Sequence, residues 1–184
     1  MNLIMKSSVY ALAVAGIVAG YKITNVYASG GVYPQPINAH VQTQAKCLAK
    51  NMYYEARSQG TAGILAVSAV VLNRVNDSRF PNTVCEVVTQ GPTRPSWKDK
   101  SIRFPIKHRC QFSWYCDGKS DTPKNKEIYK KFLNVAEAIL TNEMPFVDIT
   151  DGATFYHADY VRPSWARTKT RTVEIEDHIF YRWK

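Results

Sequence analysis

The sequence predicts an α+β domain, with several helices first and a small antiparallel sheet last. Between residues 44 and 141 apolar residues recur at helical spacing, and after Pro145 they gather into short β-branched and aromatic runs. The chain has 184 residues, 45% hydrophobic and 21% charged, which suits one domain with a sizeable core and excludes a disordered or multi-span membrane chain.

The first 28 residues stand apart. Lys6 precedes an apolar run from Val9 to Gly20, and no acidic residue occurs before Glu55. This is the layout of an export signal, with Val26-Tyr27-Ala28 offering small residues for cleavage after Ala28. The alternative is an uncleaved membrane anchor, with residues 9–20 as a tether. Both readings export the domain. Residues 29–42, rich in Gly, Pro and polar side chains, read as a linker, and the domain is expected over 43–184.

Within the domain a helix is expected over Gln44 to Arg57, where Ala45, Leu48, Ala49 and Met52 form an apolar stripe and Gly60 follows as a stop. A second helix, Thr61 to Val75, is apolar on most sides and therefore central. Phe80-Pro81-Asn82 breaks the chain before a short helix at Thr83 to Thr89, which Gly91-Pro92 ends. Residues 91–124 show no period and carry many charges and aromatics, as binding loops do. A last long helix spans Lys126 to Thr141, with Ile128, Phe132, Val135 and Ile139 on one face. Strands are expected at Ala153 to His157, Thr172 to Ile175 and His178 to Tyr181, the last two as a hairpin.

An even cysteine count in an exported chain points to disulfides. Four cysteines allow three pairings, of which Cys110 with Cys116 and Cys47 with Cys85 demands least. A zinc site is the weaker alternative, because no C-x-x-C pair exists and His108 lacks a second histidine at ligand spacing. No metal and no other cofactor is expected. The formal net charge of +9 favours polyanionic surroundings, which outside a bacterial cytoplasm means peptidoglycan carboxylates and wall polymers more readily than nucleic acid, although charge alone does not decide between them.

Glu55 follows two aromatics, Tyr53 and Tyr54, near the end of the first helix. A carboxyl held against apolar surface loses hydration and keeps its proton to higher pH, as glycoside cleavage requires of its acid. A solvated Glu beside Arg57 is the plainer reading.

The wider pattern decides between them. Tyr53-Tyr54-Glu55-Ala56-Arg57, the Ala66 to Val75 block and Phe80 to Val88 resemble the SleB-type cell-wall hydrolases. So do Cys110-Gln111-Phe112-Ser113-Trp114, the Gly152 to Ala158 block, Val161 to Ala166 and His178-Ile179-Phe180-Tyr181. The blocks run in order from about Cys47 to Arg182. The resemblance implies a lysozyme-like, transglycosylase-like fold, action on muramic-acid glycosidic bonds, and Glu55 as the catalytic acid. The four cysteines set this chain apart from the spore enzymes, so a role in germination is not carried over.

One acid suffices for lytic transglycosylation, whereas hydrolysis needs a second carboxylate. Asp151, Asp117 and Asp121 are the candidates for it, with Asp151 first, although forming the turn before Gly152 is its plainer role. Sugars call for aromatic and amide side chains, which Gln111, Ser113, Tyr156 and Trp165 provide; Asn73 either touches substrate or caps the second helix. Trp114 is expected to pack, and His157 and His178 to bridge backbone groups. Peptidoglycan is the expected partner of a monomeric enzyme. A wall-binding module without catalysis is the rival from another class.

Overall fold

The computed structural model describes residues 37–184. The leader and most of the linker lie outside the described residues.

Helix α1 is Ala39–Ala56, and its entry is set by Asn38, whose side chain accepts from the His40 amide at 2.8 Å. The helix thus begins five residues before the expected Gln44, so residues 39–42, expected as linker, are helical. Ala45, Leu48, Ala49, Met52, Tyr53 and Ala56 form one fully buried stripe at i, i+3, i+4, i+7, i+8 and i+11. The alanines let neighbours approach closely, and α1 packs along α4, Lys126–Leu140, through Phe132, Ala136 and Ile139.

Helix α2, Thr61–Asn76, is the buried helix that its composition predicts, closed in from Ala66 through Val71. Helix α3, Val84–Val88, is capped by Thr83 and Glu86, whose side chains bond at 2.8 Å while Thr83 accepts from the Glu86 amide. Two disulfides have the expected pairing. Cys47 is bonded to Cys85, which ties α1 to α3, and Cys110 to Cys116, which closes a small loop.

The segment expected to be irregular contains a two-stranded ribbon, β1 (Thr93–Pro95) against β2 (Arg103–Pro105), and a 3₁₀ turn at Ser113–Cys116. The C-terminal sheet is antiparallel in the order β3-β5-β4, from β3 (Phe155–Ala158), β4 (Thr170–Ile175) and β5 (His178–Arg182). Phe155 pairs with Tyr181 and Ala158 with His178, so β5 is central and Phe180 is fully buried. The sheet's inner face closes on Ala66 and Val70 of α2. No helix among the described residues is long and apolar enough to cross a membrane.

A carboxylate distant in sequence caps α2. The Glu176 side chain, at the turn between β4 and β5, accepts from the amides of Gly60 at 2.6 Å and Gly63 at 3.1 Å. A Cβ on Gly60 would stand 2.8 Å from that carboxylate, so glycine is what permits the approach. Glu176→Ala is expected to lower stability by about 1 kcal/mol, read as a thermal shift of a few degrees. An unchanged melting temperature would mean that water satisfies these amides equally well.

Candidate active site

Glu55 lies in the last turn of α1, where the helical layer meets β3. Its carboxylate accepts from the Tyr156 hydroxyl at 2.9 Å. Tyr156 faces inward from β3, with its ring against Phe180 and edge-on to His178. Burial pushes the Glu55 carboxyl above its ordinary range, and the Tyr156 hydrogen bond and the Arg74 charge offset this only in part. Burial and the Glu55 charge together hold the Tyr156 phenol well above its ordinary value, so it stays a proton-bearing donor.

Arg74 is the neighbour of Glu55 that the sequence reading did not single out. It is 4% exposed near the end of α2, donates from Nε to the Thr154 carbonyl at 2.8 Å, and leaves Nη1 without a partner. Its guanidinium carbon lies 5.2, 5.1 and 6.0 Å from the ring centroids of Phe80, Phe112 and Phe155. No direct ion pair joins it to Glu55 among the described residues, so its charge acts through space. The signal in the sequence was its period: Val67, Val70 and Val71 lead to position 74 on the same buried face.

The other candidates divide. Tyr156 is brought to Glu55. Gln111 and Ser113 are exposed on the loop whose neighbours Phe112 and Trp114 are buried, Phe112 under Arg74 and Trp114 against Tyr54. Trp114 packs as expected, donating to Asn51 at 3.1 Å. Trp165 is not brought to Glu55: it packs on Phe155, His157 and Tyr181, on the face of β3 opposite Tyr156, because side chains alternate along a strand. Asn73 does not cap α2, since its amide nitrogen donates to Asp148 at 2.9 Å and to the Ala153 carbonyl at 3.0 Å.

Asp151 occupies a turn at φ +56 and forms an ion pair with Arg182 at 3.0 Å, with most of its side chain in solvent. Burial alone would raise Asp148, but hydrogen bonds from Thr150, Asn73 and Gly152 hold it below its ordinary value. Asp117 lies on a groove of about 490 Å³ with Tyr53, Tyr54, Arg57 and Trp114, and Asp121 is close enough for its charge to act on Tyr54. This groove abuts the last turn of α1, though Glu55 is not among its walls. His157 bonds the Tyr181 hydroxyl at 3.0 Å, while His178 is buried and shifted down by that burial. Among the described residues no cluster of His, Cys, Asp and Glu could hold a metal ion.

Helices closing over a small antiparallel sheet, with one desolvated carboxyl at their junction, define a lysozyme-like domain. The chain belongs to the cell wall hydrolase family, whose sequence model matches residues 58–181. That match begins three residues after Glu55.

The chain is 26% identical over 144 residues to a spore cortex-lytic enzyme of Bacillus cereus, covering 78% of this chain and 46% of that protein. It is 27% identical over 134 residues to the spore cortex-lytic enzyme of Halalkalibacterium halodurans, covering 72% and 33%. It therefore spans less than half the length of these relatives. The catalytic domain of the Bacillus cereus SleB protein superposes with a TM-score of 0.54 at 28% identity, covering 83% of this chain and 100% of that domain. The catalytic domain of the germination-specific lytic transglycosylase SleB of Bacillus anthracis gives 0.51 at 27%, covering 81% and 99%.

Proposed function

We propose that this protein cleaves the glycan strands of peptidoglycan as a lytic transglycosylase, with Glu55 as the one general acid and base. The observation that carries this is the Glu55 carboxyl itself, desolvated at the seam between α1 and β3 and bonded by Tyr156. The groups that bear on its proton affinity are Tyr156 and Arg74, and no second carboxylate is among them. A hydrolase of the retaining kind holds its two carboxyls about 5 Å apart, where each would act strongly on the other.

In the first half of the reaction the protonated Glu55 gives its proton to the glycosidic oxygen, and the bond to the muramyl anomeric carbon breaks. The resulting carboxylate then takes the proton of the C6 hydroxyl, whose oxygen attacks that carbon to close a 1,6-anhydro ring. No water is consumed, and Glu55 ends the cycle protonated. Arg74 and the Tyr156 hydroxyl stabilise the carboxylate midway, while desolvation keeps the acid protonated at the start.

Peptidoglycan lies outside the cytoplasm, so this reading goes with export, whether the leader is cleaved or acts as a tether, and with a monomer as the working unit. Mass spectrometry of the muropeptides released from purified peptidoglycan tests the reaction. Anhydromuramyl ends are expected. Reducing ends would replace this mechanism with hydrolysis and turn attention to Asp117 and Asp121 beside the groove. Absence of any release would leave a wall-binding module.

Tyr156→Phe removes the donor to the carboxylate. Turnover is expected to fall about 10- to 100-fold, the worth of a hydrogen bond to a charged group. The alkaline limb of the rate profile should move to higher pH, because the acid form survives further. A profile that keeps its position would show that Tyr156 only packs.

A further inference from the structure

The β1–β2 ribbon has no part in the chemistry above, yet it carries the most exposed tryptophan among the described residues. Trp97 at its tip is 80% exposed, and Phe104 is 49% exposed. The register sets Arg94 opposite Phe104, so both lie on one face, while Arg103 folds over the other face, bonding Thr93 Oγ1 at 2.7 Å and its carbonyl at 3.0 Å. Arg94, Trp97, Lys100 and Phe104 line a concavity of about 420 Å³. The nearby acid, Asp99, is exposed but does not line this concavity, and its carboxylate accepts from the amide and hydroxyl of Ser101. Neither Arg94 nor Lys100 is in an ion pair among the described residues.

Two aromatic side chains left in water with two unpaired cations call for a ligand with apolar faces and negative charge. The hollow shape selects among such ligands. A lipid surface is met by a convex tip, whereas a concavity of this size receives a ring. The ribbon also shares its loop with the catalytic end of the molecule. The Gln111 amide bonds the Gln90 carbonyl at 2.9 Å at the ribbon's base, and Trp114, a few residues on, walls the groove beside the Glu55 turn.

We propose that this concavity is a second, non-catalytic binding site for a glycan strand bearing acidic peptide stems, with sugar faces stacked on Trp97 and Phe104 and stem carboxylates met by Arg94 and Lys100. It rests on the reading of the chain as a peptidoglycan-cleaving enzyme and names the occupant as a stretch of the same strand away from the bond being cut. The site serves processing of the polymer and is idle on short fragments.

Trp97→Ala/Phe104→Ala in the full chain separates these cases. Release from intact sacculi is expected to fall about tenfold, with turnover of a soluble disaccharide-peptide dimer unchanged and the melting temperature kept. Arg94→Gln/Lys100→Gln should give a similar loss on sacculi and reduce the inhibition by salt. Equal activity of wild type and both variants on sacculi overturns the proposal. So does a loss confined to binding of phosphatidylglycerol vesicles, which would make the ribbon a lipid contact. If the wild type cleaves neither substrate, the catalytic reading has failed, and sedimentation with sacculi still decides the ribbon: wild type should sediment and the aromatic variant should stay in solution.

Discussion

Glu55→Gln is expected to lower release of muropeptides by about 10²- to 10⁴-fold, the contribution of general acid assistance, while the fold is retained. Glutamine has nearly the same shape and its carbonyl can still accept from Tyr156, so the loss isolates the proton. The same change should make the protein more stable at neutral pH. Burial raises the proton affinity of Glu55 in the folded state, so between the ordinary carboxylate range and that raised value the native state holds a proton that the unfolded chain has released. The ionised carboxyl then opposes folding increasingly as pH rises through this window. Below it both states are protonated and the penalty is absent. Thermal melts should therefore show the variant above wild type at pH 7 and level with it at pH 3. Retained release by Glu55→Gln would remove Glu55 from the mechanism, and a variant less stable at pH 7 would contradict the desolvation argument.

Replacing Cys47 and Cys85 by alanine should be the most destabilising change outside the core. The bridge spans a sequence separation of 38 that encloses all of α2, and the chain-entropy estimate for such a loop is about 4 kcal/mol. A fall of roughly 10 °C in melting temperature is expected, against about half that free energy for Cys110 and Cys116, whose separation is 6. The functional weights should run the other way. Cys110 and Cys116 bracket Phe112, which packs under Arg74, and Trp114, which stacks on Tyr54, so opening the small loop should disturb the site more than its share of stability suggests. Comparing turnover with melting temperature for the two double variants reads this directly.

The order of elements was legible in the sequence because local periodicity reports it. The apolar stripe of α1, the all-round apolar α2, the face of α4 and the β-branched runs after Pro145 all appear where expected. The start of α1 did not, since a polar stretch gives no periodic signal and Asn38 caps the helix by a single hydrogen bond. The β1–β2 ribbon escaped for a related reason: with most of its side chains in water, neither strand shows the alternation that burial imposes.

Of the candidate site, Glu55 and Tyr156 could be named from the chain, as could the cysteine pairing, because residue type, spacing and ordered motif blocks restrict them. Arg74 and Glu176 act across gaps of 80 residues to Thr154 and 116 to Gly60, and such pairings depend on how helices and sheet close on each other. The same closure turned Trp165 to the far face of β3, occupied Asn73 with Asp148 and Ala153, and sent Asp151 to Arg182. The sequence by itself determined which segments become helix or strand, because local periodicity reports them, and its ordered blocks, by their resemblance to the SleB-type hydrolases, marked Glu55 as the candidate acid. The tertiary structure alone decided which groups surround that carboxyl, because desolvation and through-space charge belong to the packed arrangement and not to neighbours along the chain.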